Sequence, residues 1–395
     1  MTGTPAYCGG EPVRTEVLGY GSQSIGEDEK QAVVEALEGD YITRGPTVKT
    51  FEERVADLVG VDHAIATTSG TTALHLAGRA AGFDVGDEVI TTPLTFVSTA
   101  HAATYCGAEP VLADIDPYRR TLDPEAVRKQ MTSETEGVVP MHYAGQPADI
   151  EGHLEVADEH DLTVIWDACH AFGGNWNGEP IGAQRDMAVF SFHPVKNVTT
   201  GEGGMIVTDN DDFAAQLRRL RSFDMDYSPD GHEEEPWYQV TEGVGYNYNV
   251  TDIQAALGLA QIDRLGEFKT RRDEIIAEYD GAFVDMEGFR TPPDPTNADP
   301  MYHLYAVEIG EAFGCNRTEF VNAMHAENIG VQVHYVPLHY HPYFQEEFGY
   351  ERGMFPETEQ VYEGLVSLPL HAEMDDGDVT DVVTAIKRLH AYHAE

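Results

Sequence analysis

Short apolar runs of strand length alternate with helix-like segments between about residue 48 and residue 208. Apolar residues recur at helical spacing from Val48 to Val59, and Gly60 follows as a stop signal. The strand-like runs are EVITT, PVLADI, EGVVPM, LTVIWD, MAVFSF and GGMIVT, each bounded by turn or polar residues. Such uniformly apolar strands are typical of a parallel sheet that is buried on both faces. The alternation therefore predicts a doubly wound α/β domain with a largely parallel sheet.

The pattern changes after Thr251. One long helical run is followed by the strand-like HLYAVEI, the helix-like TEFVNAMHAENIG, the strand-like VQVHYV and the helix-like DVTDVVTAIKRLHAYH. These segments predict a second, smaller α/β domain, and a chain of 395 residues is too long for one compact core. We predict an N-terminal arm at 1–25, a large domain at 26–255 and a small C-terminal domain at 256–395.

The charge balance is extreme, because 24 basic and 69 acidic residues give a net charge of −45. Binding of nucleic acid or of an anionic membrane through a basic patch is excluded, since such binding needs clustered Lys and Arg. Disorder is another explanation of high acidity, but 42% hydrophobic and 10% aromatic residues are ordinary for a folded chain. The composition predicts an acidic surface adapted to high salt, because molar salt shortens the Debye length to roughly 3 Å.

We expect the protein to work in the cytoplasm. The sequence has no apolar stretch long enough to span a membrane, and its first residues lack the basic and apolar regions of a secretory signal. The four cysteines, Cys8, Cys106, Cys169 and Cys315, are widely spaced and form no CxxC pair. Neither a disulfide framework nor a zinc site is therefore predicted.

The strongest chemical signal is the string SFHPVKNVTTGEGGMIVT, from Ser191 to Thr208. Lys196 comes just after a predicted buried strand, in a loop with little local charge that leads into a glycine-rich turn. Burial favours the neutral amine of a lysine, and a neutral amine attacks carbonyl groups. An ordinary surface lysine is the alternative for any single lysine, but the surrounding string favours a catalytic one.

Three further segments place groups that suit a planar, phosphorylated cofactor. In LTVIWDACHAFGG, Asp167 ends an apolar strand, where it either pairs with a cation such as a protonated pyridine or caps a helix. In TTSGTTALHLAG, a strand leads through small residues into a helix N-terminus, which suits a phosphate but also resembles an ordinary cap. In TTPLTFVSTA, Phe96 follows a strand end, where its ring either stacks on the cofactor or packs in the core.

In this order, the four motifs resemble the DegT/StrS family of sugar aminotransferases, which has the aspartate-aminotransferase-like fold, PLP-dependent transferase fold type I. The resemblance runs from about Gly19 to the C-terminal helix and includes YITRGPTVKTFE and GYNYNVTDIQAALG. It implies pyridoxal 5′-phosphate (PLP) as the cofactor and makes Lys196 the Schiff-base lysine that also moves the proton. It assigns the other cofactor contacts to Asp167 at the pyridine nitrogen, His170 at the ring hydroxyl, Phe96 on the ring, Thr71, Thr72 and Ser191 at the phosphate, and Asn247 at the phosphate of the neighbouring subunit's cofactor.

The C-terminal strings HLYAVEI, GVQVHYVPLHYHPYF and VSLPLHAEM are similar to those of enzymes that aminate C4 of UDP-linked 4-keto-6-deoxy hexoses. This similarity implies a homodimeric aminotransferase that transfers the amino group of glutamate to such a sugar, in nonulosonic acid or surface glycan biosynthesis. It assigns the substrate contacts to Tyr20, Tyr41, Thr43, His334 and Tyr335. The acidic loop at 224–236 departs from the family pattern and leaves the substrate contacts there open.

Three alternatives to this interpretation are weaker. A metal site at His334, His339 and His341 fits no familiar ligand spacing, so we predict no metal and a loop that lines the substrate cleft. A PLP-dependent sugar dehydrase of the same family would carry His in place of Lys196. A non-catalytic regulator or scaffold of the same fold would not need both Lys196 and Asp167.

Overall fold

A computed structural model describes residues 3–227, 234–235, 237–295 and 297–394, so part of the predicted acidic loop at 224–236 lies outside the described residues. The helices are α1 (Glu27–Glu38), α2 (Pro46–Val59), α3 (Gly70–Ala80), α4 (Val97–Thr104), α5 (Pro124–Gln130), α6 (Ile150–His160), α7 (Asp211–Arg221), α8 (Asp252–Asp263), α9 (Leu265–Phe283), α10 (Arg317–Ala326), α11 (Pro342–Phe348), α12 (Pro356–Gly364) and α13 (Asp376–Ala394). The strands are β1 (His63–Thr67), β2 (Glu88–Thr91), β3 (Glu109–Leu112), β4 (Ile115–Asp116), β5 (Thr121–Leu122), β6 (Thr135–Val139), β7 (Thr163–Asp167), β8 (Asn175–Trp176), β9 (Glu179–Pro180), β10 (Met187–Ser191), β11 (Gly204–Thr208), β12 (Met225–Asp226), β13 (Val240–Thr241), β14 (Phe289–Arg290), β15 (Ala298–Asp299), β16 (Tyr305–Ile309) and β17 (Leu365–Leu368).

The central sheet has seven strands in the order β1-β11-β10-β7-β6-β2-β3. β3, β2, β6, β7 and β10 run parallel to one another, and β11 runs antiparallel to both of its neighbours. Both faces of the sheet are buried in separate hydrophobic clusters: in β7, Val164 and Trp166 belong to one cluster and Ile165 to the other. The predicted α/β architecture with a largely parallel sheet is confirmed.

Helix boundaries follow local signals in the sequence. α2 begins with Pro46 in its first turn and ends before Gly60, whose φ of 80° lies in the left-handed region that favours glycine. α5 begins after Asp123, whose side chain accepts a hydrogen bond from the amide of Glu125. Pro124 then occupies the first helical position, as the sequence predicts.

The C-terminal part contains a smaller antiparallel sheet in the order β14-β16-β17. This sheet packs with α9, α10 and α13 around a core of its own, which Leu18 from the N-terminal segment joins. The prediction of a strand at VQVHYV is wrong, since only an isolated bridge joins Gln332 to Ser367. The carbonyl oxygen of His334 instead accepts a hydrogen bond from the Tyr143 hydroxyl at 2.5 Å, so a side chain replaces the partner strand.

The predicted boundary between residues 255 and 256 falls inside α8, and this helix packs against α1 and α2. The limits given for the N-terminal arm and for the two domains stay predictions. A further cluster of buried residues, which includes Leu94, Tyr143, Leu304 and Leu365, joins the loops at the end of the large sheet to the C-terminal sheet. Across the part of the chain that the structure describes, no helix combines the length and the apolar character needed to cross a membrane.

Candidate active site

β7 and β10 are parallel neighbours in the sheet, and they end at Asp167 and Ser191 respectively. Because neighbouring parallel strands end at the same edge, this places the two strand-end motifs of the sequence side by side. The carboxyl edge of a parallel sheet is where α/β proteins bind their ligands. The candidate site is built on this edge.

Lys196 lies in the turn that follows β10, where its amide donates a hydrogen bond to the carbonyl oxygen of His193 at 2.9 Å. Burial lowers the pKa of the Lys196 amine below its ordinary value of 10.5, while the nearby Cys169 and Asp167 act in the opposite direction. A lysine with a lowered pKa carries a larger fraction of the neutral amine. The environment of Lys196 thus suits a nucleophile toward carbonyl groups.

Asp167 is 2% exposed, and both of its carboxylate oxygens accept hydrogen bonds. The Thr99 hydroxyl donates to Oδ2 at 2.6 Å, and the Cys169 amide donates to Oδ1 at 3.1 Å. The Thr99 hydroxyl is also 2.6 Å from that of Thr95. A buried carboxylate held in one orientation suits a fixed cationic partner such as a protonated pyridine nitrogen.

His170 is a buried imidazole whose tautomer follows from its neighbours. The Ala144 amide donates to Nδ1 at 3.3 Å, so the proton of the neutral ring resides on Nε2, which is 3.0 Å from the Tyr335 hydroxyl oxygen. Burial, and then the positive charge of Lys196, hold the pKa of His170 well below 6.5. A second buried imidazole, that of His303, lies with its ring centre 4.4 Å from that of His170.

The N-terminus of α3 lies against the end of β10. Ser69 caps this helix, because its hydroxyl oxygen accepts from the Thr72 amide at 3.1 Å while the Thr72 hydroxyl oxygen accepts from the Ser69 amide at 3.0 Å. A Cβ on Gly70 would lie 2.9 Å from the Cβ of Ser191, so only glycine allows this close approach. Thr71 and Thr72 are thus placed beside Ser191 at a helix end that favours an anion such as phosphate.

Phe96, Tyr20 and His334 adjoin the same site through Tyr335. The Phe96 ring is 5.9 Å from that of Tyr335, and the Phe96 residue is 50% exposed, which leaves its ring available to a ligand. The Tyr20 ring lies 5.1 Å from that of His334. Nδ1 of His334 is 2.9 Å from the Ser367 hydroxyl, and burial together with the charge of Lys196 lowers the pKa of His334 to about 4.

Tyr41, Thr43 and Asn247 form a second group, beside the start of α8. Tyr41 is 62% exposed, Thr43 forms a bridge with Thr251, and the Asn247 side chain accepts a hydrogen bond from Asn249 at 3.1 Å. The partners in these contacts are Thr251 and Asn249, and neither contact involves Tyr335 or His170. The structure therefore brings some of the predicted site residues together and leaves these three apart from them.

The loop histidines of VQVHYVPLHYH each have a different neighbour. Nε2 of His339 is 3.0 Å from a carboxylate oxygen of Glu359, and Nε2 of His341 is 3.3 Å from the carbonyl oxygen of Val336. His334 is bonded to Ser367 instead. The three imidazoles do not converge on one point.

Several residues of the site are not predicted by the sequence. Thr99, His303 and Asn197 lie in segments whose patterns indicate only a helix, a strand end and a loop. The Asn197 side chain donates to the carbonyl oxygen of Met301 at 2.9 Å and so ties the residue after Lys196 to the segment that carries His303. The one available signal is position, since Thr99 comes three residues after Phe96 and Asn197 comes directly after Lys196.

The residues fit a phosphorylated pyridine aldehyde. Lys196 supplies an amine, Asp167 a buried carboxylate, and the α3 N-terminus with Ser191 an anion site. The partly exposed Phe96 ring supplies a stacking surface, and His170 supplies a neutral N–H donor at the nitrogen that lies 3.0 Å from the Tyr335 hydroxyl. This is the set of groups that PLP chemistry requires of a protein.

The chain matches the DegT/DnrJ/EryC1/StrS aminotransferase family over residues 23–387. It is 41% identical over 384 residues to the spore coat polysaccharide biosynthesis protein SpsC of Bacillus subtilis, covering 95% of this chain and 98% of that protein. Its structure is similar to PseC of Helicobacter pylori, an aminotransferase of pseudaminic acid biosynthesis, with a TM-score of 0.89, 27% identity and coverage of 95% and 100% of the two chains. It is also similar to DesI solved in the presence of its TDP-sugar product, with a TM-score of 0.86, 32% identity and coverage of 99% of both chains.

Proposed function

Because the chain belongs to the DegT/DnrJ/EryC1/StrS aminotransferase family and is a PLP-dependent sugar aminotransferase of fold type I, we propose that it aminates C4 of a nucleotide-linked 4-keto-6-deoxy sugar. The proposed nucleotide is UDP and the proposed donor is glutamate. The observation that carries the proposal is the grouping of Tyr20, His334 and Tyr335 around His170 at the carboxyl edge of the sheet. A role in surface glycan or nonulosonic acid biosynthesis agrees with the names of SpsC and PseC.

We assign the cofactor contacts residue by residue. Lys196 would form the covalent link to PLP, Asp167 would hold the pyridine nitrogen, His170 would donate to the ring hydroxyl and Phe96 would cover one ring face. Thr71, Thr72 and Ser191 would hold the phosphate. When bound, PLP supplies a carbonyl that links to amines and a ring that accepts electrons.

The residues of this chain do the remaining chemistry. Lys196 would act as the base that takes a proton from the substrate carbon and as the acid that gives the proton back to complete the transfer. The buried surroundings lower the pKa of Lys196, so a larger fraction of its amine is neutral and can accept a proton. Asp167, held in one orientation by Thr99 and the Cys169 amide, would receive the ring nitrogen.

Replacement of Lys196 tests this assignment. Lys196→Ala should lose the visible absorbance of bound PLP and nearly all turnover while keeping the fold. The control is Lys30→Ala, which removes an exposed lysine that pairs with Glu27 and should retain both the absorbance and the turnover. Borohydride reduction followed by mass spectrometry should find PLP only on Lys196. A cofactor tag on another lysine would refute the assignment.

We also propose that the working enzyme is a homodimer in which the second group of residues completes the partner's site. Tyr41, Thr43 and Asn247 are exposed in one subunit, although the family resemblance assigns all three to the ligand site. Closed two-fold dimers are the commonest oligomers, and we propose that the dimer axis brings this group to the other subunit's Lys196.

Complementation between two inactive variants tests the shared site. In a mixed dimer of Lys196→Ala and Asn247→Asp subunits, one of the two sites holds both native residues. Verified heterodimers should therefore recover activity that neither parent homodimer shows. An inactive heterodimer, or a fully active Asn247→Asp homodimer, would contradict sharing.

The surface beside this second group suits a nucleotide diphosphate. A cavity of about 590 Å³ is lined by four basic residues, Arg44, Lys49, Arg218 and Arg221, and also by the acidic Glu52, Glu53 and Asp62, of which Glu52 pairs with Arg221 and Glu53 with Lys49. Arg44 and Arg218 are therefore the two basic residues of this lining that we propose for the diphosphate. Arg44 also lies over the Tyr227 ring at 5.4 Å, which holds its charge at the rim of the cavity.

The substrate is tested by product analysis. Enzyme, glutamate and UDP-4-keto-6-deoxy-N-acetylhexosamine should give a product whose NMR spectrum places the amine on C4. The TDP-linked sugar is the matched comparison, because DesI was solved with a TDP-sugar product. An amine on C3, or turnover only with TDP- or GDP-linked sugars, would refute the proposed substrate and leave the aminotransferase activity standing.

A further inference from the structure

Three metal-ligand side chains meet in the C-terminal part, outside the residues assigned to transamination. They are Cys315, Glu319 and His393, and their sulfur, carboxylate oxygen and imidazole nitrogen atoms all lie within 4.8 Å of one another. Nε2 of His393 is 3.8 Å from Oε1 of Glu319, which is beyond hydrogen-bond distance. The group therefore has the composition of a metal site and is not closed by a hydrogen bond between these two side chains.

Local structure fixes the positions of all three. The Asn316 side chain caps α10 by accepting from the Glu319 amide at 3.0 Å, which places Cys315 just before the helix and Glu319 in its first turn. His393 lies in the last turn of α13. Gly314 has a φ of 97°, and a Cβ there would come within 2.6 Å of the His393 Cβ, so α13 packs directly on the turn that precedes Cys315.

The burial of these side chains leaves one nitrogen in need of a partner. Cys315 is 7% exposed, and the side chain of His393 is 16% exposed. Within the described residues, Nε2 of His393 is buried and makes no hydrogen bond. A buried nitrogen without a partner destabilises the fold, whereas a coordinated ion would satisfy it. The Glu319 side chain is 37% exposed, so an ion can enter on that side and keep a water ligand.

The donor atoms select the ion. A thiolate and an imidazole favour zinc over Mg²⁺ and Ca²⁺, which prefer oxygen ligands. Tetrahedral zinc holds its ligand atoms roughly 3.5 Å apart. Side-chain movements of about 1 Å would therefore bring the three ligand atoms to this spacing. We propose that Cys315, Glu319 and His393 bind one Zn²⁺ ion per chain, which ties the end of α13 to the start of α10.

Zinc titration of the PLP-loaded enzyme tests the site. The protein is kept in molar KCl with excess Mg²⁺, so that ordinary surface carboxylates are already occupied, and competes for Zn²⁺ with a chromophoric chelator. The native chain should bind one ion tightly and gain thermal stability. Cys315→Ala and His393→Gln should each weaken this binding by roughly tenfold or more and abolish the stabilisation.

Matched controls separate the site from adventitious binding. His390→Gln removes an imidazole from the preceding turn of α13, where His390 bonds to the carbonyl oxygen of Glu287 at 3.2 Å, and Cys106→Ala removes a buried thiol elsewhere. Both should keep the tight ion. The PLP content of each variant shows whether it has folded. If Cys315→Ala does not fold, His393→Gln decides the question. No tight ion in the native chain, or tight binding that survives both Cys315→Ala and His393→Gln, would overturn the proposal.

Discussion

Replacing Thr99 by Val should destabilise the PLP-free protein by about 2 kcal/mol. Thr99 and Asp167 are 1% and 2% exposed, and the hydroxyl donates to the carboxylate at 2.6 Å. Hydrogen bonds to a charged group are worth about 1.5–3 kcal/mol. Valine has nearly the same shape as threonine, so the change removes the donor without opening a cavity.

The expected shift in melting temperature follows from the size of the chain. Globular proteins gain about 2.1 cal/mol/K of unfolding entropy per residue, which amounts to roughly 0.8 kcal/mol/K for a chain of 395 residues. A loss of about 2 kcal/mol then lowers the melting temperature by about 2–3 °C. The assay is thermal unfolding of PLP-free protein in molar KCl, because bound cofactor would add its own stabilisation.

One further variant and one mutant background identify the cause of the shift. Thr99→Ser keeps the donor and should lose only the smaller contribution of one methyl group, about 1 kcal/mol. In an Asp167→Asn background the acceptor is neutral, so Thr99→Val should cost about half as much. An unchanged melting temperature in Thr99→Val, or the same drop with Asn at position 167, would refute the reasoning.

Three other outcomes are expected. Melting temperature and activity should rise with KCl into the molar range, because salt screens the repulsion of a −45 chain, and a flat or falling curve would contradict this. Burial lowers the pKa of His142 from its ordinary value of 6.5 to about 3. As the pH falls from 6.5 toward 3, the unfolded chain gains a proton on this imidazole that the folded chain does not, so the free energy of unfolding declines, and it is unaffected by His142 above 6.5. His142→Gln should therefore reduce the slope of stability against pH between 6 and 4 by about 1.4 kcal/mol per unit, and an unchanged slope would count against it. Arg120→Met should cost about 3–5 kcal/mol, measured by chemical denaturation, because it removes the buried partner 2.7 Å from Glu308 and leaves that carboxylate only the more exposed Arg290 at 3.4 Å. A cost below about 1 kcal/mol would show that Glu308 is satisfied by other groups.

The sequence determines the elements of the large sheet and the residues at their ends. Apolar runs with turn residues on both sides predict β2, β6, β7, β10 and β11, and the structure contains each of them. Lys196 and Asp167 are evident as candidates because Asp167 ends one such run and Lys196 lies in the turn that follows another. A strand end is a local property, so the amino acids next to it fix which polar group is presented there.

The strand predicted at 331–336 shows where local pattern fails. Its residues alternate as a strand would, but a strand also needs a neighbour along its length, and only Gln332 finds one in Ser367. The side chains of His334 and Tyr335 bond to Ser367 and His170 instead. Side-chain contacts with distant residues therefore replace the ladder of backbone hydrogen bonds.

Only the tertiary structure decides which distant groups surround Asp167 and His170. Thr99 comes from α4 and His303 from the segment before β16, and nothing in their own neighbourhoods distinguishes them from ordinary helix and loop residues. The separation of Tyr20, His334 and Tyr335 from Tyr41, Thr43 and Asn247 is equally invisible in the sequence. Periodicity records which side of an element is buried, whereas the order of strands and the packing of loops determine what it is buried against. That second choice depends on contacts across the whole chain, and it is what turns separate motifs into one site.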